Sequence, residues 1–229
     1  MDICFLITTY NRKESCQRLV DSLRGIGDIT VLGDCVDYTI SGCKFMNRSE
    51  HYGRAGYWHT VKKLFAIRGS HQYYMMLPDD FLICESQIIE AIEIWNGIDD
   101  PLKICLNLYM DRYGLRCWTK FYPEDKGSVW QTGWVDMCFL CEESFFRHIR
   151  LKQKIANNSS GVGAQISRQL FQKGFHFYQV KDSLVSIQDE HYVSQMHSDE
   201  QVSHHRHSLS TPKRRVFDTR RRGGSKSMR

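Results

Sequence analysis

The sequence predicts an α/β fold in which a mostly parallel sheet is flanked by helices, and three observations carry that expectation. Strand-length apolar runs alternate with helix-length amphipathic runs from the first residues onward. The chain has 229 residues, of which 41% are hydrophobic and 12% aromatic, enough to bury one core in a single domain. Polar and acidic clusters directly follow several strand-like runs, where such a sheet binds ligands.

Taken in order, "DICFLITTY" reads as a buried first strand, apolar and rich in Ile, Phe, Leu and Thr. "NRKESCQRLVDSLRGIG" follows as a helix with Cys16, Leu19, Val20 and Leu23 on one face, stopped by Gly25 and Gly27. "DITVLGD" is a second strand ending in Asp34, and "GYWHTVKKLFAIRG" a helix with Trp58, Val61, Leu64 and Phe65 on one face. "HQYYMMLPDD" is a strand running into Asp79 and Asp80; "SQIIEAIEIWNGI" is a helix and "LKICLNLYM" a strand. There is no internal repeat.

The charge of +5 is unevenly placed. Between Ser203 and Arg229 nine Lys and Arg stand against Asp218 alone, a net +8 that leaves the first 202 residues at −3. A basic, apolar-poor segment cannot bury enough surface to offset its ordering entropy, so residues 203–229 are expected to be a flexible tail. It reads as a solubilising terminus or as an arm for a polyanion, of which nucleic acid is the commonest. No apolar run is long enough for a membrane span and the start lacks the features of a signal peptide, so the expectation is a cytoplasmic protein. Nine cysteines, an odd number without a secretory signal, read as reduced thiols. Cys138 and Cys141 have no second pair at zinc spacing and read as a core strand with alternating faces.

The strand ends share an address if the sheet is parallel. Thr8, Thr9, Tyr10, Asn11 and Arg12 follow the first strand, Asp34 and Asp37 the second, and Asp79 with Asp80 a later one. Desolvating an ion is costly, so two adjacent carboxylates at the mouth of a buried strand call for a cation or an exposed loop. An Arg, a hydroxyl-rich turn and several carboxylates at one edge suit a nucleoside diphosphate held through a divalent metal. Neither a P-loop nor a Gly-x-Gly-x-x-Gly turn follows the first strand, which removes those two readings.

"FLITTYNR", "MLPDDF", "GRAGYWHTVKKLF", "VDMCFLCEESFF" and the closing "GFHFYQVKDSLVSIQDEHYVSQMH" resemble, in that order over about 200 residues, the nucleotide-sugar-dependent glycosyltransferases of the GT-A type, family 2-like enzymes in particular. The resemblance implies a single GT-A domain over residues 1–202, Rossmann-like in its layers, followed by the basic tail of 203–229. It implies that Thr8, Tyr10, Arg12, Asp34, Arg54 and Asp79 bind the donor nucleotide, most simply a UDP-sugar. It implies that Asp80 and His197 hold Mn²⁺ or Mg²⁺, with His191 competing for the role of His197. The motif departs from the family's Asp-x-Asp, because Pro78 stands at the place of the usual first carboxylate. Where inverting relatives carry a catalytic carboxylate before the helix "GVGAQISRQLFQKG", Gly163, Ala164 and Gln165 offer none. Asp136 is then the first choice of catalytic base and Glu142 the second, while a retaining mechanism would need no such base.

Trp58, Trp118, Trp130 and Trp134 could stack on sugars or on bases. The tail points to a DNA acceptor, and in size and charge the chain resembles small enzymes that glycosylate 5-hydroxymethylpyrimidines in viral DNA, which would place it in the host cytoplasm. A polysaccharide, lipid-linked or protein acceptor is the alternative within the enzyme reading. The alternative of another class is a non-enzymatic nucleic-acid-binding module whose Asp pair is structural.

Overall fold

The structure, a computed structural model, describes residues 1–51, 53–110, 123–151 and 161–188, without the side chains of residues 53–56. These form, in chain order, β1 (Ile3–Thr9), α1 (Lys13–Leu23), β2 (Asp28–Gly33), β3 (Lys44–Asn47), α2 (Gly53–Ala66), β4 (Tyr73–Pro78), β5 (Phe81–Leu82) and α3 (Glu85–Gly97). There follow β6 (Lys103–Asn107), β7 (Glu124–Asp125), β8 (Val129–Thr132), β9 (Phe139–Glu142), α4 (Glu143–His148), α5 (Val162–Phe171), β10 (His176–Val180) and β11 (Ser186–Ile187).

Among the described residues, nine strands make one sheet in the order β3-β2-β1-β4-β9-β6-β10-β8-β7. β3, β2, β1 and β4 pair in parallel, as do β6 and β10. β9 enters antiparallel between β4 and β6, and β8 runs antiparallel to both β10 and β7. Seven strands therefore point one way, and only β9 and β8 are reversed. β5 and β11 pair as a separate antiparallel ribbon.

The period of two along each strand sorts side chains into two cores. Ile3, Phe5 and Ile7 of β1, with Tyr73, Met75 and Leu77 of β4, pack against Cys16, Leu19, Val20 and Leu23 of α1 and Ile88, Ala91 and Trp95 of α3. Cys4, Leu6, Tyr74 and Met76 face the other way, against Trp58, Val61, Leu64 and Phe65 of α2 and Val162, Ile166 and Leu170 of α5. Helices thus cover both faces, which is why β1 and β4 are apolar at nearly every position. Both helical faces expected from the sequence are buried. Cys138 belongs to the first core and Cys141 to the second, as an alternating strand requires, and the eight described cysteines are free thiols.

Candidate functional site

The turn after β1 is where local sequence rules give way to the site. Asn11 takes the left-handed conformation at φ 56°, which an Asn tolerates better than most residues, and the chain doubles back into α1. The N-cap of α1 is Arg12, which makes no capping bond. Its side chain is committed elsewhere. Nη1 lies 3.1 Å from Asp79 Oδ1 and 3.1 Å from Asp80 Oδ2. The Tyr10 amide also donates to Asp79 Oδ2 at 3.3 Å. Tyr38, from the β2–β3 connection, pins this turn: its hydroxyl accepts from the Arg12 amide at 3.2 Å and bonds the Thr9 hydroxyl at 2.9 Å. Thr8 is tied to Tyr57 by a hydroxyl pair at 3.2 Å.

Asp79 and Asp80 form the turn between β4 and β5, and both are buried. Burial pushes Asp79 up from 3.8 to about 6, against the pull of Arg12. Because this folded pKa is raised, the native state keeps a proton over a window, about 3.8 to 6, in which the unfolded chain has lost it. The associated stability is complete below that window and is lost as pH rises through it. Asp79→Asn is therefore expected to raise the stability near pH 7.5 by about 1–3 kcal/mol, a gain that fades toward pH 4. Thermal melts of the two proteins across that range check it; a gain that is equal at both ends would contradict the assignment.

Two carboxylates converging on one cationic nitrogen are a hard-oxygen donor set that suits Mg²⁺ or Mn²⁺. Among the described residues, no three His, Cys, Asp or Glu side chains gather at one point. His197 and its competitor His191 lie outside the described residues, as do the tail of 203–229 and the side chain of Arg54.

Asp34, at the end of β2, is the center of a second cluster. Its amide donates to the Thr9 carbonyl at 3.0 Å, which ties it to the β1 turn. Oδ1 accepts from Arg48 Nη1 at 3.3 Å and from the Thr60 hydroxyl at 3.2 Å, and Arg48 also donates to Thr60 at 2.7 Å. Oδ2 meets His51 Nδ1 at 3.0 Å. The His51 ring lies flat on Tyr10, with centroids 4.6 Å apart and planes 7° from parallel. Cys35, next to Asp34, sits at φ 58°, a strained conformation for a residue other than Gly or Asn. Asp37 is exposed beyond this cluster.

The acceptor-side candidates separate. Asp136 precedes β9, whose first residue, Phe139, lies beside Met76 and Asn107, so Asp136 falls at the same sheet edge as Asp79 and Asp80. The charges of Asp136 and Asp80 both reach the buried Cys138 thiol, helping burial raise its pKa. The Asp136 amide donates to Asn107 Oδ1 at 3.0 Å, and its own Oδ1 accepts the Met137 amide at 2.7 Å. The preceding Val135 amide donates to the Ser167 hydroxyl of α5 at 2.8 Å, and Gly163 of the same helix is where a Cβ would meet the Val135 carbonyl at 2.6 Å. Glycine at 163 thus lets α5 approach the segment carrying Asp136.

Glu142 is not brought to this edge. It lies beside Tyr73 at the start of β4, because β9 runs antiparallel, and accepts from Trp95 Nε1 at 2.8 Å. Asp79 lies six residue steps along the strand from Tyr73, about 20 Å at the usual rise. Trp58 is likewise a core residue of α2 rather than a stacking platform. Arg48, His51, Thr60 and Tyr38 were not singled out in the sequence. The first two follow β3, whose residues "KFMN" are partly exposed and carry no β-branched side chain, so its strand signal is faint.

No family model matches the chain, and no curated protein matches it. Solved structures do. The structure of GalNAc-T7 with UDP, GalNAc and Mn²⁺ superposes with a TM-score of 0.59 at 12% identity, covering 81% of this chain and 43% of that one. The mannosyltransferase PcManGT of Pyrobaculum calidifontis, in complex with GDP-Man and Mn²⁺, superposes with a TM-score of 0.52 at 13% identity, covering 80% of this chain and 55% of that one. The chain spans about half the length of these structures. At such identities the likeness establishes the fold, which is that of the GT-A glycosyltransferases.

Proposed function

We propose that this protein is a cytoplasmic, nucleotide-sugar-dependent glycosyltransferase that works with Mn²⁺ or Mg²⁺. The observation that carries the reading is the convergence of Asp79, Asp80 and Arg12, beside the Tyr10–His51–Asp34 cluster, at the C-terminal edge of a GT-A sheet. Both of the superposed enzymes hold a nucleotide or nucleotide-sugar with Mn²⁺. In this assignment Asp34 and Tyr10 take the nucleoside, a uridine in the simplest case, and Arg12 takes the diphosphate or holds the turn. Asp79 and Asp80 would hold the divalent cation, which when bound supplies charge neutralisation for the departing nucleoside diphosphate. Asp136 deprotonates the acceptor hydroxyl.

The acceptor in this proposal is the hydroxyl of a 5-hydroxymethylpyrimidine in DNA, supported by the +8 tail, which supplies phosphate contacts independent of base sequence. No described helix is long and apolar enough to cross a membrane. The direct test is a panel of nucleotide-sugars with Mn²⁺ or Mg²⁺, scored for sugar transfer to DNA containing hydroxymethylcytosine or hydroxymethyluracil. Absence of metal-dependent binding of every nucleotide-sugar would favour the non-enzymatic nucleic-acid-binding module instead. Transfer only to a saccharide, lipid-linked or protein acceptor would move the acceptor and keep the enzyme.

Deletion of residues 203–229 isolates the role of the tail. Affinity for duplex DNA falls with salt at a slope of about −0.9 per phosphate neutralised, so the truncated protein should bind DNA more weakly, with a slope shallower by roughly 3 to 6. Donor hydrolysis without acceptor should survive the deletion. Equal DNA affinity and salt slope with and without the tail would remove the main support for a nucleic-acid acceptor.

A further inference from the structure

The two oxygens of the Asp34 carboxylate serve different directions. Oδ1 is held from within the fold by Arg48 and Thr60, whose side chains are themselves buried or nearly so. Oδ2 faces His51, a side chain 36% exposed, while that of Asp34 is 2% exposed. His51 is thus the cover over the outward oxygen of a buried acceptor. A carboxylate only accepts, so His51 Nδ1 carries the proton of this 3.0 Å bond.

The same imidazole lies on the face of Tyr10, nearly parallel and at stacking distance. A flat nitrogen heterocycle is therefore stacked on an aromatic ring while its ring N–H bonds to a buried carboxylate. Those are the two interactions by which a nucleobase with a ring N–H, uracil for example, would be held on the same two residues. Tyr10 and Asp34 can offer them to one ring at a time in this orientation. Arg12, two residues beyond Tyr10, leaves the turn toward Asp79 and Asp80, so a nucleoside seated on Tyr10 would have its phosphates near the carboxylate pair.

We propose that His51 is an internal occupant of the nucleobase subsite, seated on Tyr10 and Asp34 in the free protein and displaced by the base of the donor. This rests on the donor-site assignment made above and adds a residue that sets its affinity and selectivity. A base gains the Asp34 bond and the Tyr10 stack only by displacing the same contacts of His51, so a ring lacking a well-placed N–H cannot recover what it displaces. Rejection of the wrong base is then built into the free protein, because the penalty for leaving Asp34 Oδ2 without its donor falls on any ring that cannot replace it.

The test uses the full chain and uridine alone, without phosphate or metal, so that only the base and ribose are sampled. Calorimetric titration of wild type, His51→Ala and Asp34→Asn compares affinities, with far-UV circular dichroism as the control for folding. The expected result is uridine binding about three- to tenfold tighter in His51→Ala, the worth of one partly exposed hydrogen bond and stack no longer in competition, and much weaker in Asp34→Asn. In wild type, saturating uridine should move the His51 ring proton signals from ring-current-shifted positions to those of a solvent-exposed histidine, a readout that needs no variant. Unchanged or weaker uridine binding in His51→Ala, with Asp34 still required, overturns the occupant role and leaves the donor site standing. No binding of uridine to any of the folded proteins, His51→Ala included, overturns the occupant, and if UDP titrated with Mn²⁺ also fails to bind, the donor site falls with it.

Discussion

On the proposed assignment, Asp80→Asn is expected to lower donor turnover by about two to three orders of magnitude and to leave the fold close to unchanged. The substitution keeps the shape of a side chain only 4% exposed and removes its charge. Arg12 still faces Asp79 at 3.1 Å, so the guanidinium keeps an anionic partner and the β1 turn keeps its anchor in Tyr38. What is lost is one of the two negative charges proposed to hold a divalent cation at this point, while a neutral carbonyl oxygen remains. Three measurements separate these effects: turnover of the nucleotide-sugar, the thermal midpoint, and Mn²⁺ binding followed by electron paramagnetic resonance. Full activity in Asp80→Asn, or in wild type with excess chelator, would sink the metal assignment.

Asp136→Asn is the second large effect. If Asp136 is the base, transfer to the acceptor falls by about 10²–10⁴ while affinity for the nucleotide-sugar stays near wild type. The fold should tolerate the change, because an Asn side-chain oxygen can still accept the Met137 amide and the backbone amide of residue 136 still reaches Asn107. The split between lost transfer and retained donor binding is what a merely structural role would not produce. Loss of donor binding in this variant would reassign Asp136 to the donor side.

How far the sequence could be read depended on whether a feature was local. The faces of α1 and α2 were legible because the 3.6-residue period puts Leu19 with Leu23 and Val61 with Leu64 and Phe65 without reference to the rest of the chain. The strand ends were legible for the same reason, which is how Asp34, Asp79 and Asp80 fell at one edge. Strand direction was not. "FLCE" looks alike in either direction, since alternation records which face a side chain takes and not which way the chain runs. Its reversal explains why Asp136 reaches the carboxylate edge and Glu142 does not. Arg48 and His51 carried no local signal because they follow β3, a strand whose pairing with β2 is evident only in three dimensions.

The reversed strand also sets the order in which the molecule can be completed. β9 is the fifth of nine strands in the sheet, yet it is supplied by Phe139–Glu142, more than 60 residues after the β4 it joins. During synthesis β3, β2, β1 and β4 can pair as soon as the first 78 residues are available, and β6 must wait for β9 before it has its neighbor on that side. Such non-local pairing is slow, since the intervening loop must be closed before the contact rewards it. Until then β4 presents an open apolar edge, "YYMMLP", to other chains in the same condition. The residues proposed to hold the nucleotide thus belong to the half that can form early, and the late arrival of one short strand both seals that edge against aggregation and delivers Asp136 to the half already built.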